Sequence, residues 1–196
     1  MELTIFPATA DRFDDVARLL APPRPDAPAC WCLTYRVTSA EFSALRGEDR
    51  PNRLKGFFEG DAAPGVVAYV EGEPAGWCAF GPRTEMGRLQ RSRTIQRLDD
   101  LPVWSVVCFV VAAKHRRRGI AARMLGEAVA YARAQGVPAL EAYPIDNKGA
   151  KISGAFAYVG TVSLFESAGF AKIAETSSRS GGLSRWIMRR DLSAPL

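Results

Sequence analysis

Trp104-Ser105-Val106-Val107-Cys108-Phe109-Val110-Val111, with Lys114-His115-Arg116-Arg117-Arg118-Gly119-Ile120-Ala121 just behind it, is the stretch that decides the fold of this chain. The first run is almost continuously apolar and rich in β-branched residues, as expected of a buried central strand. Over residues 120–135, Met124, Leu125, Ala128, Val129 and Ala132 recur on one helical face, and Gly136-Val137-Pro138 closes the helix. Between strand and helix lies a basic loop. A helix start exposes amides that lack internal partners, and the helix dipole makes that end positive. Gly119 and Ala121 are small enough for a diphosphate to approach the main chain, and Gly119 reaches dihedrals closed to other residues. The pattern predicts an anion cradle at the helix N-terminus, with Arg116, Arg117 and Arg118 supplying charge-assisted bonds. It is not a Walker loop, which needs Gly-Lys-Ser/Thr, nor a dinucleotide fingerprint, which needs three spaced glycines and a later acidic residue. On spacing alone, a basic turn facing solvent or nucleic acid stays open.

Working outward, residues 3–6 read as a strand. Phe13, Val16, Ala17, Leu19 and Leu20 read as a helix started by Asp11 and ended by Pro22, Pro23, Pro25 and Pro28. A second helical region spans 42–58, broken near Pro51. Residues 66–70 and 76–80 form a hairpin about a Gly72-Glu73-Pro74 turn. The long connection 82–102 carries Arg83, Arg88, Arg91, Arg93 and Arg97, read first as a solvated face. Residues 140–143 are a short strand, 144–154 a loop, 162–168 a short helix, and 170–176 and 185–190 the last two strands.

With 196 residues, 47% of them hydrophobic and 24% charged, the chain fits a single domain over 1–196. No apolar run reaches the ~20 residues of a membrane helix, so no membrane partner is expected. The start shows no secretory pattern, and four cysteines without a repeated spacing suit reduced thiols in a cytoplasmic protein. Cys30-Trp31-Cys32 has no further ligand pair and His115 is the single histidine, so no metal is expected. The net charge of +5 is mild, but its arginines are clustered, which suits a phosphorylated cofactor or nucleic acid.

Two motifs carry a resemblance. Arg116, Gly119 and Ala121 match the Arg/Gln-x-x-Gly-x-Gly/Ala motif of the GNAT superfamily of acetyl-coenzyme A-dependent N-acetyltransferases. Leu164-Phe165-Glu166-Ser167-Ala168-Gly169-Phe170 is similar to that family's closing helix. The resemblance implies an α+β fold, a mixed, mostly antiparallel twisted sheet of about seven strands flanked by helices and splayed between the fourth and fifth strands. It implies acetyl-coenzyme A as co-substrate, a small-molecule or peptide amine as acceptor, and direct attack by the amine; edge-strand pairing makes a homodimer possible. Carried over by position, Phe109 and Val111, flanking Val110, offer backbone groups to the pantetheine arm. The amides of Arg117, Arg118, Gly119, Ile120, Ala121 and Ala122 take the pyrophosphate, and Phe165 stands beside the cofactor.

The chain also departs from the family pattern. Phe165 replaces a Tyr that can protonate the leaving thiolate, and Tyr158 replaces an Asn, so either Tyr158 or Ser163 is the substitute acid or the reaction needs none. The central strand holds no carboxylate, which leaves Glu141 on the next strand as the candidate base. Two other functions compete: a nucleic-acid-binding module using the Arg-rich segments, although these lack interleaved stacking aromatics, and a coenzyme A binder without catalysis.

Overall fold

The structure, a computed structural model, describes residues 2–24 and 27–193. Pro25 and the outermost ends of the 1–196 domain lie outside the described residues. Strand β1 (Leu3–Pro7) leads into helix α1 (Phe13–Leu20), then α2 (Ser39–Ala44) and α3 (Asp49–Lys55). The hairpin β2 (Gly65–Val70) and β3 (Glu73–Pro82) follows, then the short α4 (Gly87–Gln90), β4 (Trp104–Val111) and α5 (Ile120–Ala134). The chain continues through β5 (Ala139–Ala142), α6 (Gly154–Ala157), α7 (Val162–Ser167), β6 (Ala171–Ser180) and β7 (Leu183–Asp191).

Local chemistry explains most boundaries. Thr38 caps α2 by accepting from the Glu41 amide, and Thr161 caps α7 by accepting from Leu164. Pro51 does not break the second helical region; it lies in the first turn of α3, where a missing N–H costs nothing. The break falls before it, between α2 and α3. The hairpin turn is Glu71-Gly72, both at positive φ, the twist that matches right-handed strands. Glu73 and Pro74 therefore belong to β3 rather than to the turn. Helix α6, inside the stretch after β5, has no counterpart in the sequence reading.

The sheet runs β1-β2-β3-β4-β5-β7-β6, antiparallel except for the β4–β5 pair. Helices α5 and α7 cover one face, where Met124, Leu125 and Phe165 pack with Val106, Leu140 and Met188. The early helices cover the other, where Val16, Leu54 and Leu89 pack with Trp77, Val107 and Ile187.

One irregularity shapes the site. Across from β3, Ala79 faces Cys108 and Phe80 faces Val106, so Val107 is an extra residue on β4. This is a β-bulge: Val107 and Cys108 both join the core on the early-helix side, while Val106 and Phe109 join the α5 side. Pairing of β4 with β5 covers Trp104, Ser105 and Val106 and ends at the bulge. Beyond it the two strands part, which is the splay expected between the fourth and fifth strands.

Candidate active site

At the N-terminus of α5, Gly119 is the capping position in the left-handed region at φ 77, and no side chain caps the helix. Arg117 is also left-handed, at φ 60, so φ alternates in sign across the turn. Such alternation turns successive amides toward one point and forms an anion-binding nest. The Arg123 amide is the first to find a helical acceptor, the Gly119 carbonyl. Among the described residues, no backbone carbonyl accepts from the amides of residues 117–122. No acidic residue stands in the first turn, and a Cβ built on Gly119 would meet nothing within 4 Å. The cradle is therefore open, positive and unpartnered, and it fits a diphosphate.

The three arginines beside it divide their work. Arg116 turns back so that Nε donates to the Val111 carbonyl at 3.0 Å, tying the loop to the end of β4. Arg118 Nη1 lies 3.2 Å from His115 Nδ1. His115 is buried rather than solvated. Arg117 is exposed and has no side-chain partner among the described residues, so it is the guanidinium available to an anion. With Arg116, Ala113, Asn147 and Lys151 it lines an open cavity of about 620 Å³.

The wedge between β4 and β5 is narrowed by the chain itself. The Phe109 amide points away from β3 and donates to the Tyr158 carbonyl at 2.6 Å. On the far side, Ile145 donates to the Gly160 carbonyl and accepts from Val162. Residues 158–162 thus lie between β4 and the extension of β5, where the resemblance placed the pantetheine arm. The Phe109 amide is engaged, and the Val111 carbonyl is held by Arg116. Phe165 is fully buried, edge-to-face with Phe109 at 5.9 Å and Phe170 at 5.1 Å, so it meets a cofactor only if that stack opens.

Sequence reasoning placed Glu141 as a candidate base. The structure places it at 2% exposure between two guanidiniums. Arg189 Nη2 reaches Oε1 at 2.6 Å, Arg83 Nε lies 3.7 Å from Oε2, and the Tyr143 hydroxyl donates to Oε2 at 3.1 Å. Arg189 also holds Asp99, and the Tyr143 hydroxyl lies 2.8 Å from Ser105 Oγ. Both carboxylate oxygens are thus engaged away from solvent, the geometry of a structural clamp. Arg83 is likewise buried rather than solvated.

Tyr158 is half-buried. Burial first, and the neighbouring Tyr35 second, push its phenol up, so it stays protonated at neutral pH. Ser163, its alternative, is exposed on α7 and within 3.1 Å of Thr161 Oγ1. Sequence reading missed Arg185, which packs over Tyr35, hydrogen-bonds its hydroxyl, and donates through Nε to the Tyr143 carbonyl at 2.9 Å. Its place in the last strand, between Ser184 and Trp186, carried no signal. Cys32 and Cys108 meet in the core with their sulfurs 2.7 Å apart. The neighbouring Cys32 and then burial push the Cys108 thiol well up, so it packs as a neutral thiol. The turn from Cys30 to Cys32 puts Trp31 and Cys32 at positive φ. No group of metal ligands occurs among the described residues, and no described helix is long and apolar enough to cross a membrane.

The mixed seven-stranded sheet, flanked by helices and splayed beyond its parallel β4–β5 pair, is an open α+β fold. The acetyltransferase (GNAT) family profile matches residues 31–152, so the chain belongs to that family and is an acetyltransferase. In structure it is similar to an N-acetyltransferase from Staphylococcus aureus, with a TM-score of 0.58 and 15% identity over 98% of this chain and 100% of that one. It is equally similar to a Salmonella typhimurium acetyltransferase with its cofactor acetyl-CoA, with a TM-score of 0.58 and 18% identity over 98% and 97%. A ribosomal-protein-alanine N-acetyltransferase from Brucella melitensis matches with a TM-score of 0.57 and 20% identity over 96% and 99%. At such identities the likeness is one of fold. No curated protein matches the chain in sequence.

Proposed function

We propose that this acetyltransferase moves the acetyl group of acetyl-coenzyme A to a primary amine on a small molecule or peptide, and that residues 1–196 act as one domain. The observation that carries this reading is the row of unengaged amides at residues 117–122 beside the open space at Gly119. Those amides, with Arg117, would hold the pyrophosphate. For the arm to take the Phe109 amide, the Tyr158 carbonyl must move off it, so a local opening of residues 158–162 accompanies binding.

In the reaction the amine lone pair forms a C–N bond to the thioester carbonyl carbon, and the C–S bond breaks. The proton lost by nitrogen balances the charge left on sulfur. No strong acid is needed, because a thiol's ordinary pKa is ~8.5 and its thiolate leaves readily. The Tyr158 phenol, pushed above its usual range, is a weaker acid than that thiol. It serves as a hydrogen-bond donor rather than a proton source. With Glu141 clamped between Arg83 and Arg189, we assign proton removal from the amine to water.

Acetyl-coenzyme A should stabilise the native state alone. At 100 times its dissociation constant it adds ~2.7 kcal/mol, a rise in Tm of roughly 5–10 °C for a chain this size. A melting curve unmoved by millimolar acetyl-coenzyme A would overturn the proposal. Consumption of the thioester on adding primary amines separates an enzyme from a mere binder.

A further inference from the structure

The connection between β3 and β4 sorts its arginines. Arg83 is buried against Glu141, and Arg97 pairs with Asp100. Arg88, Arg91 and Arg93 form no ion pair among the described residues. These three line one cavity of about 390 Å³ together with Thr38, Ser39 and Thr94, and no carboxylate borders it. Three like charges around one space repel one another unless something negative joins them.

The walls of this cavity are fixed. The Gly87 amide donates to the Arg36 carbonyl and the Arg88 amide to the Tyr35 carbonyl. The two segments run so close that a Cβ on Gly87 would lie 3.1 Å from the Thr38 nitrogen. On the other side, Ile95 is buried, donates to Ser92 Oγ at 2.9 Å, and accepts from Arg83 Nη2 at 3.1 Å. The loop that carries Arg91 and Arg93 is therefore anchored through Arg83 to the Glu141 clamp. The Arg88 guanidinium lies 5.7 Å from the Phe42 ring, and its Nε is buried without an acceptor.

We propose that this cavity is a second anion site, built for the phosphate monoester of a small molecule. Guanidiniums bind phosphoryl oxygens in pairs of parallel bonds, and the hydroxyls of Thr38, Ser39 and Thr94 supply further donors. The site stands on the early-helix face of the sheet, whereas the cradle at α5 serves the opposite face, so a diphosphate held there leaves this cavity free. No aromatic ring lines it, and single-stranded nucleic acid needs such rings to stack its bases. The inference does not depend on the identity of the acetyl acceptor.

The test is calorimetric titration of the whole protein with glycerol phosphate at constant ionic strength, with a random RNA oligomer as a second arm. The ester should bind wild type, and Arg91→Ala/Arg93→Ala should weaken it at least about tenfold. Both side chains are exposed, so the unfolding midpoint and the acetyl-coenzyme A melting shift should stay unchanged in that variant. Gly119→Glu should leave ester binding intact. Arg93→Gln alone should weaken it less than the double change. The proposal fails if the ester does not bind at millimolar concentration, if the double variant binds it as well as wild type does, or if Gly119→Glu removes it. It also fails if the RNA binds more tightly than the ester and loses that binding in the double variant.

Discussion

Residues 83–97 and 114–118 are both dense in arginine, yet the fold uses them in opposite ways. In the second stretch Arg116 ties to Val111 and Arg118 to His115, Arg117 stays exposed, and the main-chain amides that follow have no backbone acceptor among the described residues. In the first stretch the side chains meet three different surroundings. One is buried in a clamp, one is paired at the surface, and three surround a cavity. Density of charge in a sequence therefore does not say how the charge is used; burial and partners determine which atoms stay free.

The sharpest way to break this contrast is at Glu141. Removing it by Glu141→Ala leaves Arg83 without a carboxylate and Arg189 with only Asp99. Orphaning a buried ion-pair partner should cost ~3–5 kcal/mol in urea unfolding. A loss below ~1 kcal/mol would show that Arg83 finds water or another acceptor and is no clamp.

Next in size is the main-chain cradle. Gly119→Glu should weaken acetyl-coenzyme A at least about 100-fold by putting a carboxylate at the proposed diphosphate site. Gly119→Ala carries the same left-handed strain without the charge, so it should retain most of the affinity. Equal losses in the two variants would mean that backbone geometry, and not the anion, governs the position.

The smallest effect belongs to the exposed pair. Arg97→Ala removes the contact with Asp100, whose side chain is fully exposed, and should change stability by no more than ~0.5 kcal/mol. A larger change would place Arg97 with Arg83 rather than with the surface.

Much of this was legible beforehand, and the reason is local. Strand β4 and helix α5 follow from an apolar run and a 3.6-residue repeat, and the amide cradle follows from their junction at Gly119. The features that escaped are long-range. Nothing near Glu141 announces Arg189, 48 positions away, or that Arg189 also holds Asp99. The bulge at Val107 hides inside an apolar run, because both faces of a central strand are buried and the pattern has no alternation to interrupt. The entry of residues 158–162 into the wedge is likewise a tertiary event, settled by the Phe109 amide and not by any propensity of Tyr158.

The sheet order has a consequence for how the molecule is made. Strands β1 to β4 lie side by side in the order of synthesis and can zip together as they emerge. The other half cannot, because β7 is inserted between β5 and β6. Until residues 183–191 arrive, β5 has an open flank and β6 has no neighbour. Such delayed, distant pairing slows folding and leaves sticky edges bare. The nascent chain would thus spend its most vulnerable moments waiting for its final strand, with its N-terminal half already in shape.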